Sequence, residues 1–210
     1  MKKIIIIGAG GHAKVIADII IKRKKILKEN PVIEGFLDDK YTKEEAIYQG
    51  IPLIGTIEKI NTLKKEDYYF IIAIGNNEIR EKIANKYELK YYTAVHPDAI
   101  LAEGVGIGEG TAIMANAVIN SSAKIEAHCI INTSSIIEHD NHIESFVHIS
   151  PNTVLAGNVK VGRKSWIGMG SSVIQGINIG ENVKIGAGSV VLNDIKDNVT
   201  AYGIPCRERY

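Results

Sequence analysis

The sequence predicts two successive domains, a small α/β domain over residues 1–95 and a parallel β-helix over 96–210. Three observations predict them. Apolar, strand-like runs alternate with helix-like segments up to residue 95, a glycine-rich turn joins the first strand to the first helix, and after Leu101 aliphatic residues recur at every sixth position.

In the first domain, "KKIIIIG" is a short continuous apolar run, the pattern of a strand covered on both faces. "HAKVIADIIIKRKKIL" has helical spacing, "PVIEGFLDD" and "YYFIIAIGN" read as further strands, and "NEIREKIANKYE" as a second helix. Strand and helix in alternation give a small parallel sheet.

In the second domain, Leu101, Ile107, Ile113, Ile119, Ile125, Ile131, Ile137, Ile143, Ile149, Leu155, Val161, Ile167, Val173, Ile179, Ile185 and Val191 keep one unbroken spacing of six. Two places before each aliphatic from Ile107 on stands a second residue, small or β-branched in nearly every case, with Asn141 the one amide. A hexad with an inward aliphatic is the mark of a triangular prism in which each hexad forms a face and three make a coil. Coils stack about 4.8 Å apart, as hydrogen-bonded strands do. Each buried aliphatic contributes about 1.5–3 kcal/mol, so the central column dominates the stability of this half. Cys129 falls in the small inward column and reads as packing.

Composition narrows the function. With Lys+Arg 25 against Asp+Glu 24, the chain lacks the basic field that tracks nucleic acid or anionic membrane. The apolar run of "MKKIIIIGAGG" is too short for the core of a signal peptide, and no segment approaches a membrane span. Cys129 and Cys206 read as reduced thiols of a cytoplasmic protein.

Two constellations can carry chemistry. "GAGGHA", residues 8 to 13, fits the glycine fingerprint of a Rossmann-like domain, in which backbone N–H groups and a helix start face phosphate. The half-sized sheet favours a mononucleotide such as UDP over a dinucleotide. The other is "IIEHDNHIESFVHISP", with His139, His142 and His148. His139 lies two places after an inward isoleucine, hence outside, beside Asp140. His142 and His148 stand six apart on adjacent faces, so within one chain they cannot share a metal; a zinc site assembled across subunits, as in the carbonic anhydrases built on this prism, is the rival reading. His142, His128 and His96 read as surface or packing residues.

The hexads "VGRKSWIGMGSSV" and "IGENVKIGAGSVV" and the closing "YGIPCRER" resemble hexapeptide-repeat acyltransferases, whose prisms are left-handed. The whole chain is similar to the PglD/NeuD branch of sugar acetyltransferases through "IIIIGAGGHAKVI", "FLDD", "IAIGNNEIR", "NTSSIIEHD" and "FVHISPNTVLAGNV". The resemblance implies a homotrimer that binds acetyl-CoA between neighbouring prisms and a nucleotide sugar on the first domain, with no metal. It implies that His139 is the general base and that Asp140, glutamate in PglD-type enzymes, orients it. His148, Gly157, Met169 and Ala187 would line the acetyl-CoA site, with the Gly157 N–H facing the thioester carbonyl. Gly10, Gly11, His12, Asp38, Asp39 and Gly75 would hold the acceptor. The implied reaction is N-acetylation of an amino group on a nucleotide-linked sugar, such as a UDP-4-amino-dideoxy sugar. O-acetylation of a sugar or sialic acid, and a non-catalytic nucleotide-binding scaffold, are the other readings.

Overall fold

The computed structural model describes residues 2–27, 30–40, 43 and 45–209. Its contacts divide the chain into two compact units, Met1–Pro97 and Asp98–Tyr210.

In the first unit, β1 (Lys2–Ile7), β2 (Pro31–Leu37), β3 (Glu45–Tyr48), β4 (Ile51–Gly55) and β5 (Tyr68–Ile72) form one sheet in the order β3-β4-β2-β1-β5. The central strand β1 pairs in parallel with β2 and β5 and buries Ile4, Ile5, Ile6 and Ile7 completely, which accounts for its uninterrupted apolar run. Helix α1 (Gly11–Ile26) packs Ala13, Ile16, Ala17, Ile19 and Ile20 inward and carries no acid in its first turn and Arg23, Lys24 and Lys25 in its last. That charge order suits the helix dipole at the C-terminal end and leaves the N-terminal end free for an anion. Helix α2 (Asn77–Lys86) starts where the Asn76 side chain accepts from the Ile79 N–H.

The sheet is not wholly parallel. β3 and β4 form an antiparallel hairpin through Gln49 and Gly50, whose φ values of 47° and 78° make a two-residue turn matched to strand twist. The hairpin stretch "EAIYQGIPLIG" is not among the strands read from the sequence, and it carries Pro52, a residue that does not fit a central strand. Pro52 is accommodated because β4 begins pairing with β2 only at Leu53.

The second unit holds two-residue strands every six residues from Ile100–Leu101 to Val190–Val191, and each as far as Ser172–Val173 pairs in parallel with the strand eighteen residues on. They form three stacks. The first contains Val118, Ile136, Val154, Ser172 and Val190, the second Lys124, His142, Lys160 and Asn178, the third Ile130, His148, Trp166 and Lys184. The inward aliphatics from Ile113 to Val191 are at most 4% exposed, whereas Leu101, in the opening coil, is 38% exposed.

Hydroxyls in the small inward column are satisfied by the coil itself. Thr111 and Ser165 donate to Glu126 O and Gly180 O, and accept from the Cys129 and Val183 N–H groups. A buried hydroxyl is tolerated because it bonds in both directions.

Each corner needs one residue in the left-handed region, and every sixth residue from Gly104 to Gly188 supplies it with φ between 57° and 79° or, at Asn182, 52°. Glycine and asparagine fill many of these corners, but Ser122 (φ 62°), Asp140 (φ 60°) and Phe146 (φ 63°) do not enjoy glycine's freedom. Ser122 is exposed. Ser122→Asn is therefore expected to stabilise the prism by up to about 1 kcal/mol, since asparagine tolerates this conformation better. A urea midpoint that falls instead would show that serine's own contacts hold the corner.

Candidate active site

In this coil the first-stack strand ends at Ile137 and the second-stack strand begins at His142, so Glu138 to Asn141 make a corner of the prism. His139 points outward with its side chain 60% exposed, and its Nδ1 lies 2.7 Å from Asp140 Oδ2. The left-handed backbone at Asp140 turns its short carboxylate back onto the preceding ring, so the lost methylene relative to glutamate does not break the contact. An ionised Asp140 accepts a hydrogen bond from Nδ1–H, which leaves the hydrogen off Nε2 and its lone pair free.

One coil on, Gly157 lies against the Cε1–Nε2 edge of that ring. A Cβ at Gly157 would sit 2.7 Å from Cε1 and 2.8 Å from Nε2 of His139, so only glycine leaves the imidazole where it is. Among the described residues nothing accepts from the Gly157 N–H.

Asn141 ties these two corners together from inside. Buried at 1% exposure, its Nδ2 donates to Glu138 O at 2.7 Å and to Ala156 O at 2.9 Å, one carbonyl beside His139 and one beside Gly157. A hydroxyl at this position has one hydrogen to give; the amide has two.

His148 projects from the third stack, with Nε2 3.2 Å from Asn132 Nδ2 and its ring stacked on Trp166 at 5.7 Å and 5°. The Trp166 indole N–H donates to Ser150 Oγ at 2.7 Å. Met169, 59% exposed, and Ala187 stand one above the other at the corner between the third and first stacks, where the Gly188 N–H donates to Met169 O. Within one chain, then, His139, Asp140 and Gly157 meet at one corner, Met169 and Ala187 meet at the next, and His148 lies on the face opposite His139. His142 bonds Glu126 at 2.9 Å. Burial works against the ionised Glu126 carboxyl, but hydrogen bonds from Ser145 and His142 outweigh it and hold the group below its ordinary value. His128, 6% exposed, stacks on Phe146 at 5.0 Å, and His96 is 4% exposed. No three His, Cys, Asp or Glu side chains among the described residues are grouped to hold a metal ion.

In the first unit the glycine turn runs from β1 into α1. Gly8 has φ 104° and its Cβ would meet Ala73 O at 3.0 Å, so it serves the fold. Gly10, Gly11 and Gly75 have open space where a Cβ would be. Gly10 is the N-cap of α1 with no side-chain cap, so the helix's first amides face outward. Asp38 braces this turn, accepting from the Ala9 and Lys40 N–H groups at 2.9 Å each. Asp39 accepts from the Ile57 N–H at 3.0 Å and opens a cleft of about 510 Å³ that continues along Ile57, Ile79, Lys82, Lys86 and Tyr87. The Gly75 turn is held by Arg80, 1% exposed, whose guanidinium donates to Ile74 O, Gly75 O and Asn77 Oδ1.

Residues 3–87 match the PglD N-terminal domain family and residues 158–193 the bacterial transferase hexapeptide family. The acetyltransferase domain of PglB from Neisseria gonorrhoeae is 36% identical, with a TM-score of 0.91 and all of both chains covered. The chain belongs to the hexapeptide-repeat sugar acetyltransferases of the PglD type. The same gonococcal domain has been solved in complex with acetyl coenzyme A. PerB from Caulobacter crescentus, solved with CoA and GDP-perosamine, is 32% identical with a TM-score of 0.90 over 100% of this chain and 98% of that one. The UDP-N-acetylbacillosamine N-acetyltransferase of Bacillus subtilis is 41% identical over 123 residues, 55% of this chain and 52% of that protein, so the match spans about half of that relative.

The prism is a left-handed parallel β-helix that follows an α/β domain in the sequence. The sequence reading missed Asn132, Trp166 and Arg80. Trp166 stands eighteen residues after His148, a signal the hexad count already contained; Arg80 sits on a charged helix and gives none.

His12 Nε2 is sealed from solvent with no partner among the described residues, although part of the side chain is exposed. Burial, aided by the Arg80 charge, lowers its pKa from 6.5 to about 4. Below 6.5 the unfolded chain binds a proton that the folded one refuses, so the stability present above that pH falls as pH drops toward 4. The loss is about 3 kcal/mol over the window. The difference in urea midpoint between wild type and His12→Gln, followed from pH 7.5 to 4.5, measures it; identical slopes would mean that the folded ring takes up the proton.

Proposed function

We propose that the chain transfers an acetyl group directly from acetyl-CoA to the amino group of a nucleotide-linked sugar, of the UDP-4-amino-dideoxy class. The observation that carries the reading is the single corner where an outward imidazole, held by Asp140, lies on a glycine whose N–H is open. The neutral amine attacks the thioester carbonyl carbon while His139 Nε2 takes its proton. The Gly157 N–H donates to the oxygen as it becomes negative, and the Asp140 carboxylate supports the imidazolium. Collapse of the tetrahedral species breaks the C–S bond, and the imidazolium returns the proton to the departing CoA sulfur. Atoms balance without a covalent enzyme intermediate and without a metal.

The acetyl-CoA groove is proposed to lie between prisms of a homotrimer. His139 and Gly157 occupy one corner and Met169 and Ala187 another, so a groove lined by both sets needs two chains. The outward side chains of the first stack support this association: all but Ser172 are aliphatic, namely Ile100, Val118, Ile136, Val154 and Val190, and Ile100 is 62% exposed, whereas the second stack presents Lys124, His142, Lys160 and Asn178. His148, Asn132 and Trp166 would then contact the coenzyme from the neighbouring prism.

The acceptor's diphosphate is assigned to Gly10, Gly11 and the start of α1, with His12 behind them, and its nucleoside to the cleft of Asp39, Ile57 and Ile79. Asp38 and Gly75 shape these walls through their backbone partners. The reaction is proposed to take place in the cytoplasm; among the described residues no helix is long and apolar enough to cross a membrane.

His139→Ala is expected to lower kcat by about 10²–10⁴-fold, a general base's usual share, with the acetyl-CoA KM nearly unchanged. Free thiol release from acetyl-CoA reads it, and a loss below about threefold would remove His139 from the mechanism. Gly157→Ala should reduce kcat too, because its methyl displaces the His139 ring. Gly10→Leu should raise the acceptor KM alone, since Gly10 has ordinary φ and ψ of −77° and −169° and open space beside it; equal weakening of both substrates would make the loop structural. Light scattering on active protein checks the trimer, and a monomer's mass would refute it.

A further inference from the structure

Glu126, Glu138 and Glu144 occupy the same place in their hexads, one residue past the inward aliphatic. Two of them act alike. Glu126 accepts from the Ser145 N–H at 3.0 Å and Glu144 from the Arg163 N–H at 2.9 Å, in both cases the amide nineteen residues on, at the corner of the next coil. The repeat makes the Gly157 N–H the matching partner of Glu138. That bond is not formed. Glu138 Oε2 instead accepts from Asn120 Nδ2 at 2.9 Å, on the coil behind it, and the Gly157 N–H has no partner among the described residues.

We propose that Asn120 is a positioning residue that holds the Glu138 carboxylate off the Gly157 amide and so keeps the oxyanion donor open. The inference rests on the reading of Gly157 as that donor. Left to the geometry that Glu126 and Glu144 follow, Glu138 would occupy the donor and bring a full negative charge to the place where the thioester oxygen becomes negative. Asn120 offers its amide hydrogens from the opposite direction, and a carboxylate bonded there faces away from Gly157. His139 is left out of this contact: its own acid is Asp140.

Asn120→Ala, and the nearly isosteric Asn120→Asp as a variant that keeps the packing, should each free Glu138 to swing onto the amide. The expected result is a fall in kcat of about 10- to 100-fold, a large part of what a lost oxyanion donor costs, with the acetyl-CoA KM little changed. Glu138→Ala alone should stay within about threefold of wild type, and adding it to Asn120→Ala should restore kcat to the same range. A purely structural role for Asn120 would not be repaired by removing a second side chain. A kcat unaffected in both Asn120 variants, or a double variant as slow as Asn120→Ala, overturns the proposal, as does a Glu138→Ala enzyme as slow as Asn120→Ala. The Gly157 amide proton resonance gives a reading independent of turnover. It should move downfield in Asn120→Ala and return in the double variant, whereas an unmoved resonance overturns the capping. If His139→Ala stayed active while this resonance still shifted, the general-base reading would fail and the Asn120 contact would stand.

Discussion

Strand pairing at an interval of eighteen residues is the constraint on which the prism and its site both depend. Each two-residue strand can pair only with the one a coil away, so a side chain at any outward position has a fixed neighbour eighteen residues later. His139 therefore faces Gly157, His148 faces Trp166, and Met169 faces Ala187. The requirement for glycine at 157 follows from this register and not from backbone conformation, since its φ is not left-handed; the imidazole beneath it fills the volume a Cβ would need. At Asp140 the conformation does matter. A corner needs a left-handed residue, aspartate accepts that conformation better than longer side chains do, and the turn that results aims its carboxylate at Nδ1.

The same register determines how buried polar groups are satisfied. Thr111, Thr153, Ser165 and Ser171 in the inward column donate to the coil ahead, and Ser135 and Ser189 to a carbonyl of their own coil, which makes the column self-sealing where only structure is at stake. Asn141 departs from that scheme at the one corner that carries His139. Its two amide hydrogens bind the carbonyls of two successive corners, so His139 and the glycine against it are fixed to each other as well as to the core. Replacing two donors by one would leave a buried carbonyl short of a partner, which costs roughly 1–3 kcal/mol. Rigid support of this kind matters more at a site whose groups are exposed, because solvent contributes nothing to orientation.

How much of this was legible depended on whether a signal is periodic. The inward aliphatics, the corners and the outward position of His139 all follow from counting in sixes, and the glycine turn between strand and helix is read from its motif. The hairpin of β3 and β4 was hidden because Pro52 speaks against a strand, and its turn, Gln49 and Gly50, lacks the asparagine or aspartate that usually announces one. Arg80 was illegible for another reason. An arginine on a charged helix reads as solvated, and only three-dimensional closure of the Ile74 to Asn77 turn around its guanidinium explains why it is buried. Asn120 and Glu138 could be placed from the repeat, but their mutual contact is a choice of rotamer, about which spacing is silent.

The two units divide the work that the proposed reaction requires. Attack of an amine on a thioester offers the protein few handles at the reacting atoms: one proton to remove and one oxygen to stabilise. In the proposed mechanism the corner at His139 supplies one group for each. Specificity has to come from elsewhere, and the first unit has what the corner lacks, an open helix start for phosphate beside a cleft with apolar walls and both signs of charge. Binding energy from a nucleotide that takes no part in bond making can be used to hold the amine in line, so orientation is obtained without enlarging the catalytic corner. On this view changes at Ile57, Ile79 or Lys82 alter which nucleotide sugar is accepted and leave the acetyl transfer chemistry intact, whereas the eighteen-residue register allows almost no freedom at His139, Asp140, Asn141 and Gly157.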